Sequence, residues 1–173
     1  MKGIIAATIL LSALSTGMAQ NLPQAGAVAP AVNLPSNDGR QVSLNDYKGK
    51  WVVLYFYPKD FTSGCTLEAQ SFQRDLAKYQ NASAIIIGVS VDNAESHKNF
   101  CAKEGLNFKL LADTDAKVSE AYGSVKDYDG KKMSARNTFI ISPEGKIAKV
   151  FTGVKPQTHS EEVIQALAEL KKS

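Results

Sequence analysis

Two side chains in this 173-residue sequence are sulfur nucleophiles by type, Cys65 and Cys101. Cys65 lies in the stretch YPKDFTSGCTLEAQ, residues 57–70, with Thr62 before it and Glu68 after it. The reactive form of cysteine is the thiolate, and an unperturbed thiol titrates near about 8.5, so little of it is ready to react at neutral pH. An apolar run precedes the stretch and a helical pattern follows it. Cys65 therefore falls in the first turn of a helix capped by Thr62 or Ser63. Unpaired backbone N–H groups and the helix dipole favour negative charge there. An arginine brought in from elsewhere would favour it more, whereas Glu68, on the same helix face, opposes it and must be offset or paired. The two cysteines could equally form a structural disulfide, or either could be a small buried hydrophobe. There is no CxxC, no CxxCH and no Cys/His cluster at metal-ligand spacing, which excludes those thioredoxin-type, haem and zinc motifs.

The elements that must position Cys65 follow from periodicity. WVVLYFY (51–57) is a continuous apolar run of the kind buried on both faces of a sheet, and Pro58 stops it. AIIIGVSV (84–91) is a second such run. FKLLA (108–112), TFIIS (138–142) and KIAKVF (146–151) complete the strand candidates, the last two joined by a turn at Pro143-Glu144-Gly145. NLPSNDGRQVSLNDYKG (33–49) reads as a hairpin turning at Asn37-Asp38-Gly39. Cys65, Ala69, Phe72, Leu76 and Tyr79 form one apolar helical stripe. Residues 94–104 predict a second, weaker helix, opened by Asp92 or Asn93 and closed by Gly105. Residues 116–121 predict a short third one. THSEEVIQALAELKK opens on a capping box from Thr158 to Glu161 and carries Val163, Leu167 and Leu170 on one face. Helices alternating with buried strands imply an α/β fold. The expected architecture is a thioredoxin-like mixed sheet flanked by helices, with an N-terminal β-hairpin.

Length and composition bound the rest. One domain is expected, since the chain is long enough for a good core and too short for two. Apolar content of 44%, charged content of 21% and a net charge of +3 are ordinary, and no basic run makes a nucleic-acid footprint. Residues 1–19 have the form of a secretory signal. Lys2 is followed by an apolar stretch from Ile4 to Leu14 and small residues before a cut after Ala19. That stretch is too short for a comfortable membrane span. Residues 20–30 read as a flexible lead-in and 31–173 as the domain. The expected location is therefore the periplasm, or a thylakoid lumen if the source is photosynthetic, with no stable membrane association after cleavage; the competing reading of the stretch is an uncleaved anchor.

Pro58-Lys59-Asp60-Phe61-Thr62-Ser63-Gly64-Cys65 carries the proline, three residues, threonine, two residues, cysteine pattern of the peroxiredoxins. With GKWVVLYFYPKDFTSGCTLEA around it and RNTFIISPEGKI downstream, the chain resembles the bacterioferritin-comigratory, or PrxQ, branch from about Ala31 to its C-terminus. The resemblance implies a peroxidase that reduces hydrogen peroxide and organic hydroperoxides, with no metal or organic cofactor. Cys65 would be the peroxidatic nucleophile. Thr62 would place its hydroxyl on peroxide and thiolate, Pro58 would shield the pocket, and Arg136 would stabilise the thiolate and the leaving oxygen. Arg74 is the next candidate for that arginine. A monomer is expected, reduced by a thioredoxin-like protein or a small thiol.

The sequence departs from many PrxQ-type enzymes at Gln70, where they carry a second cysteine, so a short intrahelical disulfide is impossible. Cys101 resembles the resolving cysteine of a subgroup that uses this later helix, which implies a Cys65–Cys101 disulfide in the cycle. It also stands open as a buried hydrophobe in a one-cysteine enzyme, or as half of a permanent staple. The rival of another class is a non-catalytic thioredoxin-like binding domain with that staple, which would need neither Arg136 nor Thr62. His97, one turn before Cys101, could tune that thiol or join it on a metal, but is expected to be an exposed polar residue. His159 is expected to be solvated at a helix cap.

Overall fold

The computed structural model describes residues 21–172. A hairpin of β1 (Asn33–Pro35) and β2 (Gln41–Ser43) leads through a 3-10 turn into β3 (Trp51–Phe56). Next come α1 (Ser63–Arg74), α2 (Leu76–Asn81), β4 (Ala84–Ser90), α3 (Ala94–Glu104), β5 (Lys109–Ala112) and α4 (Lys117–Ala121). A second hairpin, β6 (Val125–Tyr128) with β7 (Lys131–Ser134), precedes β8 (Asn137–Ile141), β9 (Ile147–Thr152) and α5 (His159–Leu170). The signal-like residues 1–19 lie outside the described residues.

The central sheet has the order β5-β4-β3-β8-β9. β3, β4 and β5 run parallel, and β8 pairs antiparallel with β3 and β9. This is the mixed, thioredoxin-like sheet that the alternating pattern implies. Its central strand is apolar throughout because both faces are covered. Val53 and Tyr55 enter a core with α1, α3 and α5, whereas Val52, Leu54 and Phe56 enter a second core with the N-terminal hairpin and Tyr122. Burying each such side chain is worth about 1.5–3 kcal/mol, so the strand that delivers Cys65 is held from both sides.

Three local features differ from expectation. The stripe from Cys65 to Tyr79 is two helices broken at Asp75. At the break the buried Asp75 carboxylate accepts from Arg74 Nη2 at 2.7 Å, Lys78 Nζ at 2.9 Å and Ser160 Oγ at 2.9 Å. Thr158 does cap α5, but without a capping box: its hydroxyl donates to Glu162 Oε1 at 2.6 Å rather than accepting from the first turn. The lead-in is pinned rather than flexible where it is described. The Gly26 amide donates to the Ile147 carbonyl, the Ala29 amide to that of Gly145, and the Ile147 amide back to that of Ala27. Among the described residues, no helix is long and apolar enough to cross a membrane.

His159 is also a correction. It is fully buried, with Nε2 at 2.7 Å from the Thr138 hydroxyl and its ring edge-on to Phe72 and Phe151. Burial lowers its pKa to about 4, a fall that the nearby Glu162 charge only partly opposes.

Candidate active site

The chain leaves β3 at Phe56 and reaches α1 through a tight turn. Phe61 takes a left-handed backbone angle (φ 62°), which reverses direction within a few residues. Thr62 follows in extended conformation as the N-cap, and α1 begins at Ser63. Cys65 is thus in the first turn, where backbone N–H groups have no intrahelical acceptor. Its side chain is 1% exposed and its thiol is free.

Arg136 arrives from the connection between β7 and β8. Its Nη2 donates to Cys65 Sγ at 3.2 Å, and its Nη1 donates to Glu68 Oε2 at 2.6 Å. The guanidinium therefore spans sulfur and carboxylate with two different nitrogens, a use of its planar fork that an ammonium cannot copy. Glu68, which had to be paired, is paired by the same arginine that serves the thiol. Burial raises the Glu68 pKa to about 7, against the pull of the Arg136 charge and hydrogen bond. Gly64 makes this approach possible: a Cβ there would lie 2.9 Å from Arg136 Nη2. Arg74, the other arginine candidate, is at the far end of α1 and pairs with Asp75 and Glu161.

Thr62 and Pro58 stand beside the sulfur in the chain but play different parts. The Thr62 hydroxyl donates to the Lys59 carbonyl at 3.0 Å, which leaves its oxygen able to accept. Pro58 is half-buried and shares a depression with Arg136, Lys126, Tyr128 and Val154. Gln70, at the position of the missing cysteine, donates to Glu104 Oε2 at 2.7 Å and so ties α1 to the end of α3.

Cys101 is a second free thiol, 7% exposed, in the same core as Cys65 but on α3. Burial, assisted by the Asp60 charge and opposed by Lys109, pushes its pKa up to about 12. A thiol so placed is inert where it sits. The expectation of an exposed His97 is overturned: the ring is fully buried, bonded through Nδ1 to Asp60 and through Nε2 to the Leu111 carbonyl. Among the described residues, no group of three His, Cys, Asp or Glu side chains is arranged to hold a metal. The residues that sequence reasoning missed here are Asp60 and its partners. The signal available was a carboxylate set between the apolar end of β3 and the cysteine, a position where an unpaired charge would be costly.

Comparison with known proteins places this geometry in context. The profile of the AhpC/TSA family matches residues 25–150. The chain is similar to the peroxiredoxin Bcp of Bacillus subtilis, with 42% identity over 149 residues that cover 84% of this chain and 95% of that one. It is 39% identical to the peroxiredoxin Bcp of Escherichia coli K12 over 150 residues, covering 84% and 96% of the two chains. Its fold superposes on the Xanthomonas campestris bacterioferritin comigratory protein, studied for its alkyl peroxide reduction, with a TM-score of 0.78. That pair is 37% identical, with 84% of this chain and 98% of that one covered.

Proposed function

Because the chain belongs to the AhpC/TSA family as a peroxiredoxin of the Bcp/PrxQ type, it is a thiol-dependent peroxidase, and we propose that Cys65 is its peroxidatic sulfur and Cys101 its resolving sulfur. The observation that carries the first assignment is the Arg136 guanidinium held between Cys65 Sγ and Glu68. The Cys65 thiolate attacks one oxygen of a hydroperoxide. The S–O bond forms, the O–O bond breaks, and the leaving oxygen departs with a proton as water or an alcohol. Arg136 donates to the oxygens as charge passes to the leaving one, and the N–H groups of the first turn of α1 assist. Thr62 accepts or donates at the peroxide, and Pro58 walls the approach. Substrates are hydrogen peroxide and organic hydroperoxides.

Cys101 then attacks the Cys65 sulfenic acid, and the resulting disulfide is reduced by a thioredoxin-like protein or a small thiol, which supplies two electrons and two protons. The binding-domain alternative is not favoured, since a staple needs no arginine between thiol and carboxylate. The signal-like N-terminus supports an exported enzyme of the periplasm or, in a photosynthetic source, the thylakoid lumen. Sequencing the N-terminus of the mature protein tests that placement, and an unprocessed Met1 in the purified native enzyme overturns it.

Peroxide consumption tests the cysteine roles. Cys65→Ser is expected to abolish even a single turnover. Cys101→Ser is expected to keep the first oxidation and lose steady turnover with a dithiol-protein reductant. A full single turnover in Cys65→Ser would remove that residue from the chemistry. Unchanged steady turnover in Cys101→Ser would leave a one-cysteine enzyme.

A further inference from the structure

Asp60 lies in the turn that carries the chain from β3 to Cys65, and its carboxylate is buried against α3. Its Oδ1 accepts from the Tyr57 hydroxyl at 2.7 Å. Its Oδ2 accepts from the Ser96 hydroxyl at 2.7 Å and faces His97 Nδ1 at 2.9 Å. The other nitrogen of that ring, Nε2, faces the Leu111 carbonyl of β5 at 3.1 Å. With both ring nitrogens toward acceptors, His97 links the Cys65 turn to the sheet through α3. The Asp60 amide adds a bond to Asp92 Oδ2 at 2.8 Å, just before α3 begins. Beside it, the half-exposed Phe61 ring meets Phe100 of α3 edge-on, with centroids 5.2 Å apart. Burial works against the Asp60 charge, but the bonds from His97, Ser96 and Tyr57 outweigh it and hold the carboxyl below its ordinary range. The turn before one cysteine and the helix bearing the other are thus clasped together by groups that include neither sulfur.

We propose that Asp60 and His97 are positioning residues for the second half of the cycle: their clasp opens before Cys101 reaches the oxidised Cys65, and its strength sets the rate of disulfide formation. The inference rests on Cys101 being the resolving thiol. In that step the Cys101 sulfur bonds to the Cys65 sulfur, the S–OH bond breaks, and hydroxide leaves with the Cys101 proton as water. The sulfenic sulfur is reduced and the Cys101 sulfur oxidised, so no further reagent is needed. Both sulfurs start buried, on separate helices and unbonded. The Cys101 thiol also carries its proton tightly until its surroundings change. Parting the start of α1 from α3 takes Ser96 and His97 from the buried Asp60 carboxylate, which is the costly element of the motion. Loosening the clasp in advance lowers that barrier. A sulfenic acid that waits longer meets a second peroxide and becomes sulfinic acid, so the same clasp governs how readily the enzyme inactivates.

The test uses the full reduced chain, rapid quenching and mass spectrometry to follow sulfenic acid, disulfide and sulfinic acid after one equivalent of hydrogen peroxide and in excess. His97→Gln and Ser96→Ala weaken the clasp without touching the Arg136 site. Tyr79→Phe is the control, since it removes a buried bond to Ser160 elsewhere in the same core. Disulfide formation is expected to accelerate about tenfold in His97→Gln and about threefold in Ser96→Ala, with no change in Tyr79→Phe. The first oxidation should stay within about twofold in all three, and the sulfinic fraction in excess peroxide should fall in the two clasp variants. A purely structural role would lower stability without shifting that partition. If His97→Gln does not fold, Ser96→Ala, whose side chain is half-buried, decides the matter. Disulfide formation that is unchanged or slower in the clasp variants, while the parent still forms its disulfide, overturns the clasp and keeps Cys101 as the resolving thiol. A parent that forms no disulfide overturns both.

Discussion

Arg136 holds a sulfur and a carboxylate at once, and this divides its effects from those of a simple cation. Arg136→Ala should slow oxidation of Cys65 at least about a hundredfold, read as the single-turnover rate, because a charged donor at the reacting centre is lost. Arg136→Lys should recover little of it, since one ammonium cannot reach Sγ and Glu68 Oε2 in the observed directions. A rate within about threefold of the parent in the alanine variant would remove Arg136 from the mechanism. Gly64→Ala should act on the same interaction from the other side, because its Cβ would sit 2.9 Å from Nη2. The legibility of these residues follows from their locality. Cys65, Thr62 and Pro58 share one short stretch, and Glu68 lies one turn on, so its need for a cation could be read directly. His97 and His159 were illegible because each is buried by partners far away in the chain, Asp60 in one case and Thr138 in the other. A histidine without its partner in view reads as a surface residue.

At the level of elements, α3 is held to the core by few side chains. Its buried residues are His97, Phe100 and Cys101, and apart from Ala94 and Ala102 the rest of the helix is polar. If the disulfide forms as proposed, α3 and the first turn of α1 should lose amide protection in the oxidised chain while β4 keeps it. Hydrogen exchange on reduced and disulfide forms measures this, and equal protection in both would mean that the cysteines meet without local unfolding. The strands of the central sheet were legible because apolar runs buried on both faces need no partner information. The hairpin of β6 and β7 was not, since its residues are mostly exposed and carry no alternation. Its Asp129-Gly130 turn, with both residues at positive φ, was the signal that could have found it. The break at Asp75 was hidden for another reason: Ser160, a partner of its carboxylate, lies in the last helix.

Across the whole molecule, two buried groups set opposing responses to pH. Glu68 titrates at about 7 in the folded chain against an ordinary 4.5, so its share of stability is full below pH 4.5 and is lost as pH rises through about 7. His159 titrates at about 4 against 6.5, so its share is full above pH 6.5 and is lost as pH falls through about 4. Each is worth on the order of 3 kcal/mol. Relative to the parent, Glu68→Gln should therefore gain stability toward neutral pH, and His159→Gln toward acid. Denaturant midpoints measured across this window report both. Parallel profiles in parent and variants would show that neither group governs the response to pH.

The pinned lead-in has one more consequence, for self-association. A sheet grows into filaments when an edge strand meets another copy. On one side of this molecule, Ser36 bridges to Leu111 and the Asn37 amide bonds to the Leu110 carbonyl, which closes β5. On the other, Val28 bridges to Lys146 and shields the start of β9, while Lys149 puts a charge on the remainder. A chain beginning after Pro30 would lose the second shield. It should still fold and turn over peroxide, yet light scattering should show it polymerising on warming under conditions where the longer chain stays dispersed.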